Sequence, residues 1–147
     1  MSETSQTLLR VVKLRPDAVI PFKTFESDAG LDITALYVHK KIGDRTLRYG
    51  TGIKIQVPKG YYTEIVPRSS LSNYGYMLTN CVGIIDQTYT GELFITLTKV
   101  DETENDLELP TRVCQLILRK QEYPVVQVVE SLEETERGVR GFGSTGK

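Results

Sequence analysis

Two segments of this chain carry apolar residues at every second position, and a period of two belongs to a strand with one buried and one wet face. From Gly52 to Val57, Ile53, Ile55 and Val57 alternate with Lys54 and Gln56. Leu93, Ile95 and Leu97 alternate in the same way with Phe94, Thr96 and Thr98. Composition points the same way: Val, Ile and Thr supply 40 residues and Ala only three, a balance that favours pleated sheet over helix. Turn formers punctuate the chain at short intervals, at Pro58-Lys59-Gly60, Thr88-Tyr89-Thr90-Gly91 and the acidic stretch Asp101 to Asp106. The expected fold is all-β: a sandwich, jelly roll or small barrel. One short helical turn is expected at Ser69 to Asn73, where serines before Leu71 serve as caps.

A chain of 147 residues fits one domain with one core and needs no disulfide or structural metal to be stable. Lys plus Arg (18) and Asp plus Glu (19) nearly cancel, and no run of five basic residues occurs, which argues against direct nucleic-acid binding by bulk electrostatics. No apolar stretch reaches bilayer length, and Met1 to Arg10 lacks the order of a signal peptide, so a soluble protein of cytoplasm or nucleus, without a membrane partner, is expected. The single histidine, His39, lies between Val38 and Lys40 and reads as an exposed strand residue. A histidine-rich metal site is thereby excluded. Cys81 and Cys114, each beside a valine, read as buried free thiols. The acidic stretch lacks the central glycine of a calcium loop and reads as a solvated hairpin tip. Any catalysis therefore falls to carboxylates, arginines, hydroxyls or a bound metal.

Five segments hold such residues, and each admits a second, plain reading. In Ala29-Gly30-Leu31-Asp32 a carboxylate enters a strand, as a functional group or as a turn former. Pro67-Arg68-Ser69-Ser70-Leu71 presents a guanidinium, hydroxyls and free N–H groups at the end of a strand, which is either a phosphate cradle or an ordinary cap. In the stretch from Asn80 to Gly91, Asp86 follows the apolar run Val82 to Ile85 at the mouth of a turn. A carboxylate there can orient a water and take its proton, and it is equally a common turn residue. Gln115 interrupts the apolar run Arg112 to Ile117, as a site-facing amide or one satisfied within the core. The last 11 residues, Arg137 to Lys147, contain Gly138, Gly141, Gly143 and Gly146 with Ser144, Thr145 and a lone aromatic, Phe142. Such a segment can wrap phosphate oxygens and close over a base, or it can be a loose tail.

In their order and spacing these five segments closely resemble the five motifs of the trimeric dUTPase family, from about Asp28 to the end of the chain. The glycine-rich fifth segment is the most specific. The resemblance implies a β jelly roll over residues 1–136, with 137–147 as a mobile arm that completes the site. It implies hydrolysis of dUTP to dUMP and pyrophosphate with Mg2+, in homotrimers whose active sites lie between subunits. This activity limits uracil incorporation into DNA and supplies dUMP for dTMP synthesis. By the same resemblance Asp86 activates the attacking water, and Asp32 reaches the metal through water. Arg68, Ser69, Ser70, Gln115, Arg137, Ser144 and Thr145 hold the triphosphate, with Ser69 and Gln115 counted among the catalytic groups. Asn80, Gly83, Ile85, Asp86, Tyr89 and Phe142 receive base and sugar, Tyr89 excluding a ribose 2′-hydroxyl.

Two departures stand out. Arg140 occupies a position usually held by glycine in the fifth motif, and Ser70 one where many relatives carry glycine. The related dCTP deaminase group shares the Arg-Ser-Ser-Leu segment, but its catalytic glutamate falls here on Thr96 and its second arginine near Asn73. A non-catalytic nucleotide- or protein-binding module of the same fold is the other alternative; the paired presence of Asp86 and Asp32 speaks against it.

Overall fold

The computed structural model describes residues 6–144 and residue 146. Nine strands are found among them: β1 (Arg10–Lys13), β2 (Leu31–Ala35), β3 (Tyr37–Lys41), β4 (Thr46–Gln56), β5 (Tyr61–Pro67), β6 (Tyr76–Leu78), β7 (Gly83–Ile85), β8 (Glu92–Lys99) and β9 (Thr111–Lys120). A 3-10 turn, Leu71–Tyr74, follows β5. One sheet runs β1-β4-β8-β6 with β3 also paired to β4; the other runs β2-β9-β5-β7. Every pairing is antiparallel. The result is an all-β sandwich of jelly-roll type.

The alternating segments do what their period requires. Ile53, Leu93, Ile95 and Leu97 from the first sheet are fully buried, and Ile33, Ile65 and Leu116 meet them from the second. Burying each such side chain contributes about 1.5–3 kcal/mol. Strand β4 pairs with three strands: Leu47 to Gly50 with β3, Ile53 to Gln56 with β1, and both halves with β8, against which its register shifts between Gly50 and Lys54. Gly52 makes the shift possible by taking φ of 70°, a left-handed conformation that costs a side-chain-bearing residue energy.

Two details differ from the sequence reading. The turn after β5 forms and buries Leu71, but neither serine caps it as expected: Ser70 has a helical backbone and its side chain makes no capping bond, whereas a side-chain cap needs an extended residue at that position. Gly75, with φ of 71°, closes the turn instead. Cys114 is buried, and burial pushes its thiol up to about 12. Cys81 is exposed, contrary to expectation, because it forms the left-handed corner (φ 64°) of the turn between β6 and β7. His39 is exposed on β3, its ring 4.3 Å from that of Phe94. The acidic stretch is a solvated turn, with Asp101 accepting from Thr103 and Asp106 held 2.8 Å from Lys99.

After β9 the character of the chain changes. From Glu122 to Arg140 every residue is exposed, including Val125 (93 %) and Val128 (94 %). Among the described residues no helix is long and apolar enough to cross a membrane.

Candidate active site

A one-residue irregularity builds the first half of the site. Along β2 and β9, Asp32 faces Gln115 and Ile33 faces Cys114, but Thr34 then faces Arg112, leaving Val113 as an extra residue. Such a bulge shifts the phase of the pleat by one. Three positions before Gln115, Arg112 would otherwise point to the opposite face of the sheet. With the bulge it shares the face of Gln115 and Asp32. Its Nη1 lies 3.3 Å from Asp32 Oδ2, and its guanidinium sits 5.1 Å over the Phe22 ring.

Arg68 arrives from β5 on the other side. Its backbone N–H donates to the carbonyl of the bulged Val113 (3.0 Å), its Nη1 to the Arg112 carbonyl (3.0 Å), and its Nε lies 3.2 Å from Asp32 Oδ1. The Asp32 carboxylate is only 14 % exposed, and a charge so sheltered needs partners; here it has two guanidinium groups. Gln115 donates through Nε2 to the Pro67 carbonyl (3.1 Å). Its amide carbonyl fills the space that a Cβ on Gly30 would occupy, which is why the residue two before Asp32 lacks a side chain. Three of the five segments thus converge: Asp32, Arg68 and Gln115 form one cluster. Ser69 and Ser70 border it, and Ser69 with Arg68 lines a cleft of about 350 Å3 shared with Leu71, Met77 and Cys81.

The second half lies elsewhere. Strand β7 pairs with β5, Gly83 opposite Ile65 and Ile85 opposite Thr63. The Asn80 end of this hairpin therefore lies toward Arg68, and Asp86, one residue beyond Ile85, lies level with Tyr62. Six residues of strand separate positions 62 and 68, about 20 Å at 3.3 Å per residue. Asp86 occupies its own cleft of about 280 Å3 with Ile85, Tyr89, Glu92 and Arg48. The Tyr89 hydroxyl donates to the Glu92 carbonyl (2.8 Å), and a Cβ on Gly91 would come within 2.6 Å of that hydroxyl, so the glycine lets the ring fold back. Gly83 is similarly tight: a Cβ there would lie 3.3 Å from Asn80 Nδ2. One chain does not bring Asp86 to Arg68, Ser69 or Gln115.

The arm stands apart from both halves. Arg137 Nε donates to the Arg140 carbonyl (2.6 Å), and Arg140 returns bonds to the carbonyls of Arg137 and Glu136. Ser144 bonds to Gly141 within the same segment, and Phe142 is fully exposed at φ of 51°. Thr145 lies outside the described residues. Sequence reasoning passed over Arg48 and Glu92 in the Asp86 cleft and gave Arg112 no role. Arg48 comes from β4, nearly 40 positions before Asp86, and nothing local signals its approach. Among the described residues no three His, Cys, Asp or Glu side chains converge on a metal position. A divalent ion here would draw its remaining ligands from water and substrate.

Fold and cluster together define an antiparallel β protein in which two arginines and an amide gather about one sheltered carboxylate. The dUTPase family model matches residues 17–146. The chain is 39 % identical over 137 residues to the deoxyuridine 5′-triphosphate nucleotidohydrolase of Rhodococcus erythropolis, covering 91 % of this chain and 83 % of that protein. It is 40 % identical over 138 residues to the enzyme of the same name from Paramecium bursaria Chlorella virus 1, covering 94 % and 97 %. The fold is shared with the Staphylococcus bacteriophage 80alpha dUTPase G164S mutant bound to dUpNHpp (TM-score 0.75, 24 % identity, 97 % of this chain and 100 % of that one). The chain belongs to the dUTPase family.

Proposed function

We propose that the protein hydrolyses dUTP to dUMP and pyrophosphate at sites assembled from more than one copy of the chain. The observation that carries this reading is the cluster of Asp32, Arg68 and Gln115 on one face of a dUTPase fold, with Asp86, just past β7, level with the opposite end of β5. Base and sugar lie along the hairpin from Asn80 to Gly91. Asn80 and the backbone at Gly83 and Ile85 read the uracil edge, and the Tyr89 ring leaves no space for a 2′-hydroxyl. The sugar end then reaches Asp86, and the triphosphate extends beyond it. Within its own chain Asp86 lies about 20 Å of strand away from Arg68, so the Arg68, Ser69, Ser70 and Gln115 group of a second copy receives the phosphates. Symmetric homo-oligomers make such shared sites, and a trimer is the assembly proposed.

Asp86 orients a water and takes its proton as that water attacks the α-phosphorus; the P–O bond to pyrophosphate breaks as the new P–O bond forms. The guanidinium of Arg68, the Gln115 amide and the Ser69 hydroxyl meet the charge that gathers on the departing oxygens. Asp32 is placed to hold the hydration water of a magnesium ion, an ion that keeps several waters and is usually bound by one or two carboxylates plus substrate phosphates. When bound, that ion neutralises phosphate charge.

The exposed segment from Glu122 onward is read as an arm that leaves its own body, its valines covered by a neighbouring copy and its last 11 residues closing on the nucleotide. Arg137 and Ser144, with Thr145, then add phosphate contacts, and Phe142 stacks on the base. Ordering a glycine-rich segment costs about 1–2 kcal/mol per residue, so closure requires several charge-assisted bonds, each worth about 1.5–3 kcal/mol. Arg140 adds a cation where relatives have glycine. The activity limits uracil in DNA and provides dUMP for thymidylate synthesis. Product analysis with dUTP, dCTP, dTTP and UTP in the presence of magnesium tests the proposal. Pyrophosphate from dUTP alone is the expected result; ammonia from dCTP, or no product, contradicts it.

A further inference from the structure

Asp32 is shared by two cations that approach different oxygens, Arg68 at Oδ1 and Arg112 at Oδ2. Only Arg68 continues into the cleft with Ser69, whereas Arg112 is tied down by its stacking over Phe22 and by the bulge that turned it onto this face. The two arginines therefore differ in reach: Arg68 lines the cleft and can turn into it by giving up its bonds to Asp32 and to the Arg112 carbonyl, and Arg112 does not line it. For Arg68 to meet a triphosphate it must leave Asp32, and a carboxylate that is only 14 % exposed, next to a new cluster of negative charge, cannot be left without a cation.

We propose that Arg112 is a positioning residue: it keeps hold of Asp32 while Arg68 turns to the phosphates, so that the carboxylate stays neutralised and aimed when the nucleotide arrives. Arg112 touches Asp32 and not the phosphates. Its effect on nucleotide binding passes through that one carboxylate, and it is greatest when no divalent cation is present to take over the neutralisation. The inference rests on the reading of Arg68 as a phosphate ligand and of Asp32 as the carboxylate beside the metal.

Calorimetric titration with dUpNHpp in EDTA tests it without turnover. Arg112→Gln should weaken binding about tenfold in the otherwise native protein and less than twofold in an Asp32→Asn background, because a neutral amide needs no counter-ion. In magnesium the loss caused by Arg112→Gln should shrink. Equal losses in both backgrounds, or no loss in either, overturn the proposal. Should Arg112→Gln fail to fold, Arg112→Lys carries the same test at smaller size: the charge is kept but the planar fork is lost, so about threefold weaker binding that disappears with Asp32→Asn is expected. A threefold loss that persists in Asp32→Asn overturns it. If the native protein itself does not bind dUpNHpp, the proposed function fails along with this inference; if it binds and the cycle shows no coupling, the role of Arg112 alone fails.

Discussion

The two ends of β5 carry opposite chemistry. Beyond Pro67 two guanidinium groups surround one sheltered carboxylate and an amide, a net positive cluster. Level with Tyr62, Asp86 and Glu92 outnumber Arg48 in a cleft beside a folded-back tyrosine ring, a net negative site suited to a water and a sugar. About 20 Å of strand lies between them. Under the proposed function, a single chain presents the acceptor of one nucleotide's phosphates and the base of another's attack, neither end suffices alone, and the long exposed arm belongs to neither.

The sharpest way to break this division is to disable one end and ask whether the other still works. Asp86→Asn should lower turnover by about 10²–10⁴-fold, the usual contribution of a positioned general base, while dUpNHpp binding and melting temperature stay close to native. Steady-state rates with calorimetry check this; near-native turnover removes Asp86 from the chemistry. Deleting residues 137–147 should cut kcat/KM by about 100-fold, the order expected of a segment that supplies several charge-assisted bonds and excludes water. Since Arg137 and Arg140 bond to each other and Phe142 is bare, the melting temperature should move little; a large drop would make the arm part of the body.

Much of this is legible in the sequence. The period-two runs mark β4 and β8, because a strand with one buried face must alternate. Asp32, Arg68 and Gln115 can be singled out as polar residues at strand ends or within apolar strands. Their meeting cannot. It depends on the bulge at Val113, and Val113-Cys114 is an apolar pair that reads alike with or without an extra residue. The role open to Arg112 is hidden for that reason, since simple alternation sends it to the wrong face. Cys81 is misjudged because an apolar neighbour suggests burial, while a left-handed corner between two short strands pushes the residue outward. Local chemistry also cannot place Arg48, which reaches the Asp86 cleft from a different sheet.

The two cysteines give a smaller contrast. An aromatic disulfide reagent at pH 8 should titrate one thiol, Cys81, in the folded protein, and Cys114 should follow only on unfolding, because its thiol is buried with its pKa pushed up to about 12. Two thiols reacting at one rate would mean that the core beneath Arg112 opens freely. The smallest effect is expected away from both ends. The hydrogen bond from Lys99 holds the Asp106 carboxyl below its ordinary range. A lowered folded pKa means the pair stabilises above the ordinary carboxylate value, about 3.9, and its contribution fades as pH falls through the lower folded value. Asp106→Asn should therefore lower the melting temperature slightly at neutral pH, converge with the native protein in strong acid, and leave turnover unchanged.

The division of labour along β5 is tested most directly by complementation. Asp86→Asn and Arg68→Gln chains, each nearly inactive alone, are co-expressed with different tags and the mixed oligomers are purified. If every site takes its aspartate from one copy and its arginine from another, each mixed trimer keeps one site in three with both groups native, and about a third of native dUTP turnover returns. Mixed oligomers no more active than the two parents would show that each chain builds its site alone, and would contradict the account.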